Sequence, residues 1–222
     1  MKSARLNTDQ ISRCIESTNL NITIQGKDVD SLVAEAKDLE VHGICIPPFW
    51  VKRASREIGD SNLQLVTVVG YPLGYQMTEV KMEEARLAVR DGANEVDVVV
   101  NASSFSNNMP WTKIELAKLS NFLHSEGVIL KVIVETELWN GEQLIKLARI
   151  VADTGADFLK TSTGYHRQPV TPEEITFFRQ HLPSNVGIKA SGGIKTAQQA
   201  QSLIKAGADR LGTSSAGQIL KQ

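Results

Sequence analysis

Six ionisable residues fall inside runs whose neighbours belong in a protein core. Glu16 lies between Ile15 and Ser17, Asp97 between Val96 and Val98, and Lys131 between Leu130 and Val132. Glu135 follows Val134, Lys160 follows Leu159, and Lys189 stands between Ile188 and Ala190. Taking such charge out of water is costly unless it is paired, so its presence needs a reason. Chemistry supplies one. A lysine amine in partly dry surroundings beside a second cation gives up its proton near neutral pH and attacks carbonyl carbon to form an imine. A carboxylate in reach can move the protons that imine formation and C–C cleavage require. On this reading Lys160 is the nucleophile, Lys189 the second cation, Asp97 the proton-transfer partner and Glu16 a further inward carboxylate. A buried ion-pair network that only fixes strand register is the alternative, open above all for Lys131 with Glu135.

The elements that must position these residues show a strand-then-helix rhythm. Short β-branched runs occur at 14–17, 42–46, 65–69, 95–100, 130–134, 157–160, 186–189 and 210–212. Stretches of helical period lie between them at 30–39, 79–90, 112–124, 141–152, 172–181 and 197–206. Thr171-Pro172-Glu173-Glu174 is a helix start, with an N-cap, a first-turn proline and acids toward the helix dipole. Gly92, Gly155 and Gly207 each precede an alanine where a helix should end. Strands alternating with helices predict a parallel sheet, and eight such units over 222 residues predict a single-domain (β/α)8 barrel of the α/β class spanning 1–222. An open doubly wound sheet is the rival, but no Gly-rich dinucleotide or P-loop turn follows the first strand.

Strand alternation then sorts the charges. Val96, Val98, Val100, Val132, Val134, Leu159 and Ile188 form the outer, helix-covered set, so the six charged residues face the axis. Lys160 and Lys189 stand at C-terminal strand ends, which is the catalytic face of this fold. Thr161-Ser162-Thr163-Gly164 adds hydroxyls and a flexible turn beside the nucleophile. Two Gly/Ser turns, Ala190-Ser191-Gly192-Gly193-Ile194 and Gly212-Thr213-Ser214-Ser215-Ala216, follow the last two strands, and each is expected to open a helix. Backbone N–H groups there, with the Ser214 and Ser215 hydroxyls, predict a phosphate corner at the usual position for a barrel.

The rest of the sequence narrows the class. With 24 basic and 25 acidic residues, nothing global draws the chain to nucleic acid or to an anionic membrane. The N-terminus lacks a signal-peptide pattern and no apolar run is long enough to span a bilayer, so the expected location is the cytoplasm. Cys14 and Cys45 are expected as reduced thiols. Trp50, Trp111 and Phe177 are read as exposed, either interface aromatics of a homo-oligomer such as a dimer or lone surface aromatics.

Several segments carry a more specific signal. Gly43-Ile44-Cys45-Ile46-Pro47-Pro48, Thr67-Val68-Val69-Gly70-Tyr71-Pro72-Leu73-Gly74 and Glu95-Val96-Asp97-Val98-Val99-Val100-Asn101 occur in that order. They are followed by Gly155-Ala156-Asp157-Phe158-Leu159-Lys160-Thr161-Ser162-Thr163-Gly164 and Gly187-Ile188-Lys189-Ala190-Ser191-Gly192-Gly193. In these segments the chain resembles the deoxyribose-phosphate aldolase family over nearly its whole length, from about 11 to 220. The resemblance implies a class I aldolase that cleaves 2-deoxy-D-ribose 5-phosphate to D-glyceraldehyde 3-phosphate and acetaldehyde, without metal or organic cofactor. It implies imine formation at Lys160, a lowered lysine pKa through Lys189, a water-assisted proton shuttle at Asp97, and Cys45 at the mouth. Candidate substrate contacts are Thr18, Cys45, Lys131, Thr161, Thr163, Gly164, Gly192, Gly193, Gly212, Ser214 and Ser215. Three positions depart from the family pattern: Glu16 replaces an aspartate, Lys195 follows the glycine pair where arginine is common, and the chain ends at Gln222 without a tyrosine-bearing tail. The residues taken without the resemblance also admit a phosphate-binding isomerase or synthase barrel, or a non-catalytic sugar-phosphate-binding relative.

Overall fold

The computed structural model describes residues 7–165 and 168–221. Eight strands run in chain order: β1 (Ile15–Thr18), β2 (Gly43–Ile46), β3 (Gln64–Val69), β4 (Glu95–Val99), β5 (Ile129–Ile133), β6 (Phe158–Lys160), β7 (Gly187–Ser191) and β8 (Arg210–Thr213). Each pairs in parallel with the next, and β8 pairs with β1, so the sheet is a closed barrel. Parallel neighbours need a crossover, and helices supply it. They are α1 (Thr8–Ser12), α2 (Gly26–Asp38), α3 (Val51–Ile58), α4 (Thr78–Arg90), α5 (Ala102–Ser106), α6 (Trp111–Ser125), α7 (Gly141–Asp153), α8 (Pro172–His181), α9 (Ala197–Ala206) and α10 (Ala216–Leu220). The (β/α)8 expectation holds. No described helix is long and apolar enough to cross a membrane.

Two apolar layers follow from the period of two along each strand. The outward set (Val96, Val98, Val100, Val132, Val134, Leu159 and Ile188) joins one continuous core with the inner faces of the helices. Inside the barrel a small separate cluster contains Cys45, Val66 and Val68, flanked by Leu20 and Tyr71. Elsewhere the axis carries the charged residues Glu16, Glu95, Asp97, Lys131, Lys160 and Lys189, with Val99 and Ile133 also pointing inward.

Helix punctuation agrees with the sequence. Gly92, Gly155 and Gly207 all have positive φ (106°, 76° and 113°), a backbone that glycine enters without steric cost. The Thr171 side chain accepts the Glu174 N–H at the start of α8, with Pro172 in the first turn. Two points differ. The span between β2 and β3, which the rhythm leaves unassigned, contains α3, held by Val51, Ala54 and Ile58. The Gly192–Gly193 turn does not itself open a helix, because α9 starts beyond it with Thr196 as N-cap in a capping box with Gln199.

Candidate active site

Register brings the charges together. Asp97 on β4 is the direct partner of Lys131 on β5, and Lys160 on β6 is the direct partner of Lys189 on β7. Partnered residues of a parallel pair point to the same face, so both pairs enter the barrel. Asp97 is the hub. Its Oδ2 accepts Lys160 Nζ at 2.8 Å and Lys189 Nζ at 2.7 Å, and its Oδ1 accepts Lys131 Nζ at 3.0 Å. Lys189 also donates to Glu16 Oε2, and Lys131 Nζ lies 3.5 Å from Glu16 Oε1. The longer side chain at position 16 therefore still reaches the network.

Ionisation follows from this pairing. Burial opposes charge on Asp97, but Lys131, Lys160 and Lys189 around it hold its carboxyl well below the usual carboxylate range. Burial likewise opposes charge on Lys189, and Asp97 with Glu16 holds its ammonium well above the usual lysine value. Burial also opposes charge on Lys131, which Asp97 and Glu16 raise in the same way. The expected direct repulsion between Lys160 and Lys189 is thus modified: the shared carboxylate oxygen lies on both nitrogens and offsets it.

A further carboxylate, Glu95, completes the cluster. It stands two residues before Asp97 on the same strand face, contacts Lys131 through Oε2, and accepts or shares a proton with His42 Nε2 at 3.0 Å. Burial pushes its carboxyl up, but the His42 contact and Lys131 outweigh that and bring it to about 2. Alternation from Asp97 already points Glu95 inward, and that signal could have found it. Glu135 does not join Lys131. The chain leaves β5 at Ile133, and the Glu135 carboxylate turns to Thr163 instead, accepting its N–H at 3.1 Å and its hydroxyl at 2.5 Å. The Lys131–Glu135 pairing weighed from sequence is therefore replaced by Lys131 with Asp97, Glu95 and Glu16.

A cavity of about 970 Å³ opens at the C-terminal ends of the strands. Lys160 lines it and is the only lysine of the axial cluster that does; Lys131 and Lys189 are fully buried behind it. Thr18, Thr163, Gly164, Gly192, Gly193, Gly212 and Ser214 also line it, as expected of substrate contacts. Gly192 and Gly193 take positive φ (111° and 67°), and a Cβ at Gly193 would meet Pro169 at 2.9 Å, so glycine is required there. Gly212 faces Lys189, where an added Cβ would lie 3.2 Å from Cε.

Other expected contacts stand back from this cavity. Lys131 is held below the floor by its ion pairs. Thr161 is fully buried, and its hydroxyl is engaged with the Ser191 backbone, donating to the carbonyl and accepting the N–H at 3.0 Å each. Cys45 is fully buried in the internal apolar cluster, where burial pushes its thiol up to about 11. Both Cys45 and Cys14 are free thiols. Ser215 lines a smaller adjoining cavity with Glu35, Ser214 and Lys221. The main cavity also takes Asp28 and Glu35 from α2, Lys195, and Tyr71 and Tyr165, which meet edge to face with centroids 5.5 Å apart. Sequence alone gives no reason to bring α2 to the mouth.

An eight-stranded parallel barrel with one lysine of a buried ion cluster on the wall of a cavity at its strand ends has the architecture of a (β/α)8 enzyme. The chain belongs to the DeoC/LacD family of aldolases, whose profile matches residues 13–221. It is 41% identical over 213 residues to a deoxyribose-phosphate aldolase of Clostridioides difficile, covering 95% of each chain. It is 36% identical over 219 residues to a deoxyribose-phosphate aldolase of Thermococcus kodakarensis, covering 97% of this chain and 98% of that one. Among solved structures, the tetrameric deoxyribose phosphate aldolase from Aeropyrum pernix superposes with a TM-score of 0.92 at 33% identity, covering 98% of this chain and 92% of the other. The aldolase QR15 superposes with a TM-score of 0.90 at 37% identity, covering 95% and 94%. The protein is an aldolase, a carbon–carbon lyase.

Proposed function

We propose that this chain is a class I aldolase that reversibly cleaves 2-deoxy-D-ribose 5-phosphate to D-glyceraldehyde 3-phosphate and acetaldehyde, with Lys160 as the imine-forming nucleophile. One observation carries the reading: of three lysines buried at the axis, Lys160 alone lines the cavity. Its amine adds to the C1 aldehyde of the open-chain sugar, and the carbinolamine loses water to give an iminium. Deprotonation of the C3 hydroxyl then breaks the C2–C3 bond, and its electron pair passes into the iminium to form an enamine. Glyceraldehyde 3-phosphate leaves. The enamine is protonated at C2, and water hydrolyses the resulting iminium to acetaldehyde and free Lys160.

In this scheme Asp97 takes up and returns protons at the Lys160 nitrogen, which it touches at 2.8 Å, and water relays them to the substrate. Lys189 and Glu16 hold the Asp97 carboxylate in place. The Gly192–Gly193 and Gly212–Ser214 turns, with Lys195, take the phosphate at the far side of the mouth. Cytoplasmic action and a homo-oligomeric state complete the reading. The second is supported by exposed Tyr75, Met77, Met109 and Trp111 along one cavity edge and by the tetrameric relative; light scattering would check it.

Borohydride added with acetaldehyde should fix a two-carbon adduct on Lys160, located by peptide mass mapping. A barrel of the isomerase or synthase class would not be reduced onto protein. An unmodified Lys160 under saturating aldehyde sinks the proposal.

A further inference from the structure

Three non-glycine residues with positive φ occur among the described residues: Glu40, Asn108 and Glu135. The first two sit in exposed turns, whereas Glu135 is buried with φ 53° and ψ 72°. Glycine would occupy that backbone freely, and a β-carbon there is strained. The side chain carries a second cost. Its Oε1 is buried and has no hydrogen-bond partner among the described residues. Two unfavourable features at one residue, beside a cavity, need a return.

The return is at Thr163, three residues beyond Lys160 and on the cavity wall. Glu135 Oε2 accepts both the Thr163 N–H (3.1 Å) and the Thr163 hydroxyl (2.5 Å). Tyr165 N–H donates to Thr163 Oγ1 at 3.2 Å, and the Tyr71 hydroxyl donates to the Thr163 carbonyl at 2.7 Å. A hydroxyl has one proton and two acceptor sites. With its proton given to a carboxylate and one acceptor site filled by Tyr165, Thr163 Oγ1 has only an acceptor left to offer.

We infer that Glu135 is a positioning residue: it orients the Thr163 proton away from the cavity, so that the wall beside Lys160 favours a substrate hydroxyl donor. This rests on the aldolase reading above, in which the three-carbon half of the substrate carries a hydroxyl next to its carbonyl and the two-carbon half carries none. Glu135 therefore sets selectivity for the acceptor aldehyde and has no part in imine formation with acetaldehyde.

The test runs the reaction toward C–C bond formation with acetaldehyde as donor and two acceptors, glyceraldehyde 3-phosphate and 3-oxopropyl phosphate, which lacks only the hydroxyl. In Glu135→Gln the amide can present N–H to Thr163 and turn its hydroxyl round. The kcat/KM ratio between the two acceptors should fall by about 10–100-fold, almost all of it on glyceraldehyde 3-phosphate. Glu135→Gly suits the backbone and removes the carboxylate, so it should show the same collapse if the glutamine variant folds poorly. Borohydride trapping of acetaldehyde on Lys160 should proceed in both variants as in the wild type. An unchanged acceptor ratio in a folded variant, or an equal loss on both acceptors, overturns the inference while the trapped adduct leaves the aldolase reading standing. A wild-type chain that traps no adduct overturns both.

Discussion

Among the described residues, buried lysines occur in two places, and they behave differently. At the axis, Lys131, Lys160 and Lys189 share Glu16, Glu95 and Asp97, and one of the lysines reaches a cavity. Between α4 and α6, Lys81 is fully buried and donates to Glu115 Oε1 at 2.7 Å and to the Val99 carbonyl at 2.8 Å. Thr78 satisfies the other Glu115 oxygen at 3.0 Å. Burial lowers the Lys81 pKa, and Glu115 works against that shift. In this second site both Glu115 oxygens and the Lys81 ammonium have fixed partners. Thr78 and Glu115 border the cavity beside Tyr75 and Trp111, but Lys81 does not line it or the one at the strand ends. Burial of a lysine is thus no sign of chemistry by itself. What separates the axial cluster is a carboxylate shared between a fully buried lysine, whose ammonium Asp97 and Glu16 favour, and one that lines a cavity.

The comparison can be broken or sharpened by substitution. The largest effect is expected for Asp97→Asn, which removes the shared acceptor: the rate of acetaldehyde trapping on Lys160 should drop by about 10²–10⁴-fold. Quench-flow with borohydride reads it, and a drop below threefold would place Asp97 outside the proton transfer. Lys81→Met should do the reverse. It strands the Glu115 carboxylate in the core and should lower stability by about 3–5 kcal/mol while leaving turnover per folded molecule near wild type. Urea unfolding with an activity assay at low temperature separates the two, and a matching loss of kcat would join Lys81 to the reaction.

The smallest effect concerns pH. Glu95 is brought from an ordinary value of 4.5 to about 2 in the fold, so its contribution is present above about 4.5 and lost as pH falls through about 2. Wild type should exceed Glu95→Gln in stability by about 1–3 kcal/mol at pH 6, and the gap should close on acidification. A gap that does not depend on pH would show that the pair contributes through packing alone.

Much of this arrangement is legible in the sequence, because strands have a strict period. Once Val96 and Val98 are outside, Asp97 must be inside, and the same logic places Lys131, Lys160 and Lys189. Glu95 obeys the same rule, but at the first residue of a strand a carboxylate also passes for a solvated end. Glu135 shows where the rule stops. It lies two residues past β5, in a left-handed turn that no local pattern of Val-Glu-Thr announces. Lys81 is hidden for another reason: a lysine on an amphipathic helix ordinarily faces water, and only the packing of α4 against α6 and the end of β4 encloses it. The two Gly/Ser turns on the cavity wall are legible in the sequence, whereas the approach of Asp28 and Glu35 depends on how α2 leans over the mouth.

The contact of Lys189 with Glu16 joins residues 173 positions apart, across the β1–β8 seam that closes the barrel. A partly folded chain holding only β4 to β7 would gather three lysines around Glu95 and Asp97 and carry an uncompensated positive charge at its centre. Docking of β1 supplies the missing carboxylate. Ring closure and charge neutrality are therefore the same event, and a chain trapped short of closure has neither a stable interior nor an intact set of groups for the reaction.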